Sequence, residues 1–187
     1  MDGINRVLII ANSRSGSRNL LHSFCRYMDC VCSGERWNYS FHKENRSYDI
    51  TEERLVLKTL ADQRPEGMEI IPFYNELIPK FDLIILLSRK NKQEVYESFQ
   101  HFVNTKENWH TEWNKEDDLE ISEGVKNVVD GQYHNINLIR DQHNIPITWY
   151  EDLYSGNYEV FKETTKDWGV DTEEFFTYFN PKNRLRQ

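Results

Sequence analysis

Short apolar blocks recur along the chain, and each has the length expected of a strand, although Leu55–Leu60 alternates only loosely. Four such blocks predict strands, at Arg6–Ala11, Leu55–Leu60, 82–88 and 145–150. The third block has the sequence DLIILLS, with an almost unbroken apolar run. Because strands covered on both faces carry such runs, this pattern favours a parallel sheet.

Segments with helical spacing lie between the predicted strands. The apolar side of the first is formed by Leu20, Leu21, Phe24, Tyr27 and Met28. Further helices are predicted over 92–103, 121–143 and 158–168, the first of these with Val95, Phe99, Phe102 and Val103 turned inward. Alternating strands and helices form a sheet with helices on both faces. The chain is therefore predicted to form a three-layer α/β domain with a central parallel sheet and a P-loop-like strand, loop and helix at its N-terminus.

Length and composition bound the number of domains. The chain has 187 residues, of which 38% are hydrophobic, so it can bury one sizeable core. We predict a single domain over 1–187. Residues 104–120 are polar and acidic with interspersed aromatic residues, which favours either a mobile loop or a solvated connection without a role. Residues 171–187 form a tail that is aromatic and then basic.

The net charge of −8 argues against a nucleic-acid partner, because no overall positive charge is present to hold a phosphate backbone. The apolar run from Val7 to Ala11 is too short for a signal-peptide core or a membrane span. We therefore expect a cytoplasmic protein without a membrane span.

Three cysteines, Cys25, Cys30 and Cys32, lie close together in the sequence. Their odd number does not suggest a disulfide framework, so reduced thiols are expected. A zinc set can be written from these cysteines and His22, but no second metal-like pair follows. We favour plain thiols and no metal.

Residues 12–19 (NSRSGSRN) follow the first predicted strand and combine hydroxyls, one glycine and two arginines. A turn of this kind directs backbone N–H groups and the positive end of a helix dipole at one point, which makes an anion site. The segment lacks the glycine, lysine and hydroxyl residue that a Walker A loop requires at Ala11, Ser17 and Arg18. The alternative is an ordinary turn capped by Ser13 or Ser15.

Two motifs in this chain resemble those of sulfotransferases that use 3′-phosphoadenosine 5′-phosphosulfate (PAPS). The sequence from Arg14 to Ser17 (RSGS) is similar to the core of the family's 5′-phosphosulfate loop. Arg89 closes the third predicted strand and Ser98 follows nine residues later, which resembles the family's grip on the 3′-phosphate. The spacing and order look most like the bacterial trehalose-sulfotransferase branch. A weaker similarity is the segment 149–153 (WYEDL) after the fourth predicted strand.

The resemblance implies a small sulfotransferase with PAPS as co-substrate and no metal. By this resemblance Arg14 and the turn of residues 15–18 hold the phosphosulfate. Arg89 and Ser98 hold the 3′-phosphate, and Lys58 neutralises the departing sulfuryl oxygens or is a lysine at the end of a strand. The complete predicted cofactor set is Arg14, Ser15, Gly16, Ser17, Arg18, Asn19, Arg89 and Ser98.

The resemblance also nominates a general base for the acceptor hydroxyl. In the trehalose-type branch the base is a glutamate in a short glycine-containing turn, about twenty residues past the loop arginine. The turn beginning at Ser33 (SGERW) lies at the matching place and nominates Glu35. The predicted catalytic residues are therefore Glu35, Lys58 and Arg14. His22 and His42 are the rival candidates, and Glu35 could equally be a surface carboxylate paired with Arg36.

The chain departs from the family in ways that keep other functions open. It is shorter than typical members, and the glycine-containing basic loop that completes adenosine binding has no convincing match; the basic tail residues Lys182, Arg184 and Arg186 are a possible replacement or simply solvated. One alternative is a nucleotide phosphotransferase with a degenerate P-loop, and another is a non-catalytic protein that binds a nucleotide or a partner protein.

The acceptor is expected to be a carbohydrate or small-metabolite hydroxyl. Aromatic residues suited to stacking on a sugar, or to ordinary packing, are Trp37, Tyr39, Phe41, Trp109 and Trp113.

Overall fold

The computed structural model describes residues 4–37, 50–105 and 119–179. Within these ranges five strands form: β1 (Arg6–Ala11), β2 (Val31–Gly34), β3 (Leu55–Leu60), β4 (Leu83–Ser88) and β5 (Ile147–Trp149). The helices are α1 (Ser17–Met28), α2 (Ile70–Leu77), α3 (Lys92–Thr105), α4 (Glu123–His143), α5 (Tyr150–Leu153), α6 (Tyr158–Thr165) and α7 (Thr172–Tyr178). A short 3-10 turn, Ile78–Lys80, follows α2.

The five strands form one sheet in the order β2-β3-β1-β4-β5, and every neighbouring pair is parallel. The central strand, β1, is buried from Val7 to Ala11, as its unbroken apolar sequence requires. Its Ile9 lies opposite Lys58 of β3 on one side and opposite Ile85 of β4 on the other. The predicted parallel sheet is confirmed.

Two apolar cores lie on opposite faces of the sheet. Alternate residues of β1, including Val7 and Ile9, pack with α1 and with the aromatic residues of α5, α6 and α7. The intervening residues Leu8 and Ile10 pack with α2 and α4. Because side chains alternate across a strand, β1 contributes to both cores at once. This arrangement confirms the three-layer α/β prediction.

Several elements differ from the sequence predictions. β2 was not predicted because its four residues (VCSG) are mostly exposed and carry little apolar signal. α2 was also missed, and α7 occupies part of the predicted tail, where its Phe175 is fully buried. Val103 was expected to face inward, but 46% of its surface is exposed, because the last turn of α3 extends beyond the core.

The cysteines also correct a prediction. Cys25 of α1 and Cys32 of β2 form a disulfide across seven positions of sequence, so these two thiols are not reduced in this structure. The chain turns sharply at Asp29, whose φ of 48° is left-handed, and this turn lays β2 back beside the helix that precedes it. The thiol of Cys30 is free. No cluster of three or more metal-ligating side chains occurs in 4–37, 50–105 or 119–179, and no helix of those ranges is long and apolar enough to cross a membrane.

The loops that follow the strands meet at the carboxyl edge of the sheet. After β1 the chain enters α1 on one face, whereas α4, the long helix between β4 and β5, covers the other. In open α/β sheets, ligands bind at the carboxyl ends of strands where the connections diverge in this way. A ligand is therefore expected at the loops after β1, β2, β3 and β4.

Candidate functional site

The loop after β1 turns tightly into α1 through two left-handed residues, Arg14 (φ 62°) and Gly16 (φ 75°). Gly16 is the N-cap of α1, and no side chain caps the helix through a hydrogen bond. The hydroxyl of Ser15 donates instead to the carbonyl of Asn12 at 2.7 Å, so the alternative of a turn capped by Ser13 or Ser15 is not what forms. An uncapped helix start of this kind presents its first N–H groups, and the positive end of its dipole, to an anion.

Gly16 is required by its neighbours as well as by its backbone angle. The hydroxyl of Tyr154 donates to the Gly16 carbonyl at 2.7 Å. A Cβ atom built on Gly16 would lie 2.9 Å from the rings of both Tyr150 and Tyr154, closer than real Cβ atoms approach. Tyr150 of the WYEDL segment, which the sequence offered only as a weak similarity, and Tyr154 directly after it therefore pack against the loop.

Three predicted ligand residues converge beside this loop. The Arg14 guanidinium donates from Nε to the Ser98 hydroxyl of α3 at 2.7 Å, although the two residues are 84 positions apart. Arg89 lies beside the same loop, because its guanidinium stacks on the Tyr150 ring, which lies against Gly16. Burial, and next the positive charge of Arg89, lower the pKa of Arg14. Two guanidinium groups and a hydroxyl at one place suit the oxygens of a phosphate or sulfate group.

The Arg89 side chain is held in a defined position. Its guanidinium carbon lies 4.0 Å from the centre of the Tyr150 ring, and its Nη1 lies 3.6 Å from a carboxylate oxygen of Glu94. The backbone carbonyl of Arg89 accepts from the Tyr133 hydroxyl at 2.9 Å. The next residue is fixed too, because Glu151 accepts from the Lys90 backbone N–H at 3.0 Å. These contacts orient Arg89 before any ligand arrives.

Two residues at this edge carry buried polar atoms that lack a hydrogen-bond partner among the described residues. In Asn12, which is fully buried after β1, these atoms are Oδ1 and Nδ2, and in Arg89 the atom is Nε. Buried polar atoms without partners are rare, and each calls for an explanation such as a ligand or an ordered water. Their position beside the loop fits a polar ligand at this edge.

Two of the three predicted catalytic side chains, those of Glu35 and Lys58, form an ion pair. Glu35 follows β2 with a left-handed φ of 47°, and its backbone N–H donates to the carbonyl of Lys58 at 2.7 Å. The Lys58 ammonium then contacts Glu35 Oε1, and the side-chain amide of Gln63 donates to Oε2 at 3.1 Å. Arg36, the alternative partner named for Glu35, contacts Glu52.

A further acidic residue, Asp62, lies at this edge and was not predicted from the sequence. Gln132 of α4 donates to Asp62 Oδ1 at 3.1 Å, and the same side chain accepts from the backbone N–H of Ser13 at 2.7 Å. Burial, and to a lesser degree the nearby charge of Glu35, raise the pKa of Asp62. Its position two residues after a buried strand was the only available signal in the sequence.

Asp62→Asn should stabilise the protein at neutral pH. The pKa of Asp62 is raised by folding, so the folded state holds the proton more tightly and stability falls as pH rises through that pKa. The amide removes this cost while keeping an oxygen to accept from Gln132. We expect a higher midpoint of thermal unfolding than wild type at pH 7.5, with the difference vanishing below about pH 3.9, where an unfolded aspartate is protonated. A midpoint lowered at pH 7.5 would contradict this.

The remaining predicted residues are placed as follows. Ser17 is buried, Arg18 exposed and Asn19 half-buried, all on the first turn of α1. His22 lies 4.0 Å from the sulfur of Cys32, and burial, followed by the charges of Arg18 and Arg26, lowers its pKa. Trp37 is buried against Phe73, at 4.9 Å between ring centres, and is therefore a packing residue.

Part of the predicted set falls outside the described residues. It comprises the rival base His42, the aromatic residues Tyr39, Phe41, Trp109 and Trp113, and the basic residues Lys182, Arg184 and Arg186. Most of the predicted mobile loop, residues 106–118, also lies there.

Comparison of the chain with models of known protein families and with curated proteins finds no match to either.

Proposed function

We propose that this protein transfers a sulfuryl group from PAPS to a hydroxyl acceptor. The observation that carries the proposal is the meeting of Arg14, Arg89 and Ser98 beside the uncapped start of α1. PAPS bears two anionic groups, a phosphosulfate and a 3′-phosphate. A helix N-terminus next to a pair of guanidinium groups offers a place for each.

In this proposal the N–H groups at the start of α1 hold the phosphosulfate, with residues 15–19 forming the turn around it. Arg89 and Ser98 hold the 3′-phosphate, and Arg14 lies between the two groups because its guanidinium already contacts Ser98. The unpartnered Arg89 Nε supports the assignment, since it is a buried donor without an acceptor among the described residues.

The reaction is an in-line displacement at sulfur. The acceptor oxygen forms a bond to sulfur while the bond from sulfur to the bridging phosphate oxygen breaks, leaving a sulfate ester and 3′-phosphoadenosine 5′-phosphate (PAP). Glu35 takes the proton of the acceptor hydroxyl and later releases it to water. Lys58, which contacts Glu35, stabilises the charge on the transferring group. No metal is required by this chemistry.

The acceptor class in this proposal is a carbohydrate or small-metabolite hydroxyl, and the cellular location is the cytoplasm. The Cys25–Cys32 disulfide weighs against that location, because disulfides are uncommon in cytosolic proteins.

A nucleotide phosphotransferase is the second candidate, and the carboxylates of Glu35 and Asp62 at the carboxyl edge favour it, since such groups bind Mg²⁺. Glu35 is already paired with Lys58, which makes it a poorer metal ligand. A nucleotide-binding protein without catalysis is the third.

A thermal-unfolding comparison separates the first two candidates. We expect PAP without metal to raise the unfolding midpoint, by a stability gain of about 2.7 kcal/mol at a concentration of roughly one hundred times its Kd. ATP, with or without Mg²⁺, should give little change. A shift with ATP and Mg²⁺ but none with PAP would instead support the phosphotransferase. Binding of PAPS without any sulfate ester formed from a metabolite pool would support the non-catalytic protein.

A further inference from the structure

Gln132 connects the loop after β1 to the loop after β3 from the opposite helical layer. It belongs to α4, and only 1% of its surface is exposed. Its side chain makes two hydrogen bonds, one as an acceptor and one as a donor. Oε1 accepts from the backbone N–H of Ser13 at 2.7 Å, and Nε2 donates to Asp62 Oδ1 at 3.1 Å. The two contacts join segments far apart in sequence.

The two bonds fix the orientation of the Gln132 amide, with Nε2 toward Asp62 and Oε1 toward Ser13. When it is ionised, Asp62 only accepts hydrogen bonds, so it then pairs with the NH₂ end of the amide and not with its oxygen. The oxygen is thereby turned to the N–H of Ser13. If the amide were reversed, two donors would face each other at Ser13 and two acceptors at Asp62, and both buried bonds would be lost.

Ser13 is the residue immediately before the left-handed Arg14, so its N–H bond sets where the loop begins to turn. The Ser13 N–H is thus bonded to Gln132, whereas no side chain caps the first N–H groups of α1. The bond from Gln132 keeps the Ser13 amide within the protein and leaves the start of α1 for a ligand.

We propose that Asp62 and Gln132 are positioning residues that hold the loop of residues 12–16 in its anion-binding shape by fixing the N–H of Ser13. The proposal rests on the proposed function for the identity of the anion, but not for the effect on the loop. Two separate measurements test the positioning role: hydrogen exchange at the Ser13 amide and the affinity for PAP.

The first test is Gln132→Met, which keeps the length of the side chain but removes both the acceptor for the Ser13 N–H and the donor to Asp62. We expect the Ser13 amide to exchange roughly tenfold faster and the Kd for PAP to rise roughly tenfold, the scale of one lost hydrogen bond. Asn135→Ala is the matched control. Asn135 lies one turn further along α4 and donates to the carbonyl of Ala61 at 3.3 Å, so it loses a similar bond without touching the loop.

The second test exchanges the two partners. Gln132→Glu alone places a second carboxylate against Asp62 and should also release Ser13. Adding Asp62→Asn restores a donor and acceptor pair, because the new amide donates to the new carboxylate, whose other oxygen accepts from Ser13. We expect the double variant to recover slow Ser13 exchange and PAP affinity. Recovery in the double variant would show that the two side chains act on the Ser13 amide as a pair.

The outcomes are distinguishable. Unchanged Ser13 exchange in Gln132→Met, or no recovery of slow exchange in a folded double variant, would overturn the positioning role. Slow Ser13 exchange in wild type and fast exchange in Gln132→Met, with no PAP binding by wild type, would support the positioning role and contradict the proposed function. An equal loss of PAP affinity in Asn135→Ala would overturn the positioning role, because the loss of affinity would then follow general stability.

Discussion

Arg89→Ala should weaken PAP binding by about 2 kcal/mol, roughly 30-fold, which is the scale of losing a charge-assisted contact. The guanidinium lies over the Tyr150 ring and close enough to Arg14 to lower the pKa of that residue. Its removal takes away one of the two cations at the proposed 3′-phosphate position. Isothermal titration calorimetry with PAP measures the loss directly.

The choice of ligand makes this prediction specific. Adenosine 5′-phosphosulfate lacks the 3′-phosphate, so Arg89→Ala should leave its affinity nearly unchanged. Lys90→Ala is the matched control, because Lys90 is the adjacent cation but its ammonium pairs with Asp152 at 2.7 Å. Equal losses for both ligands, or an equal loss in Lys90→Ala, would assign the effect to general charge and contradict a 3′-phosphate contact.

Arg89→Lys refines the same experiment. The ammonium keeps the charge but cannot make a two-pronged contact or lie flat on Tyr150 as the guanidinium does. We expect an affinity between those of wild type and Arg89→Ala. Full affinity in the lysine variant would show that charge alone acts at this position.

The sequence predicted those parts of the fold that depend on long apolar runs. β1 and β3 have the predicted ends because β1 is apolar from Val7 to Ala11, and β3 is apolar except for Lys58 and Thr59. β2 could not be found in this way. It is an exposed edge strand held by pairing with β3 and by the Cys25–Cys32 disulfide, and neither depends on an apolar pattern. α7 was missed because its short sequence becomes helical through burial of Phe175 in a distant core.

Some residues of the candidate site could be predicted from the sequence, whereas the contacts between them could not. Arg14, Arg89 and Ser98 could be nominated because each follows from a local motif with a fixed spacing. The contact between Arg14 and Ser98 could not, because it depends on where the sheet brings two loops together. Asp62 and Gln132 carry no motif at all, and their pairing arises only when α4 packs across the carboxyl edge. Local spacing thus identifies candidate ligands, whereas the residues that hold them in place require the assembled structure.

Glu35→Gln is expected to have the largest effect on catalysis. The substitution keeps the shape of the side chain but removes the group that takes the acceptor's proton. Turnover should fall by ~10²-fold or more, while the affinity for PAPS stays nearly unchanged, because a base acts on the acceptor rather than on the donor. An acceptor is first identified by mass spectrometry of sulfate esters formed from a metabolite pool, and initial rates are then measured with it.

The control for Glu35→Gln must account for the ion pair that it breaks. Glu35 contacts Lys58, with side chains 21% and 9% exposed, and Glu52 contacts Arg36 with side chains 27% and 13% exposed. Glu52→Gln therefore removes an ion pair of similar burial without altering Lys58. If both variants lose turnover equally, the loss reflects the structure around β2 and β3. If only Glu35→Gln loses turnover and its affinity for PAPS is intact, the Glu35 carboxylate is the base. Near wild-type turnover in Glu35→Gln would instead assign the role of base to a histidine or to no residue.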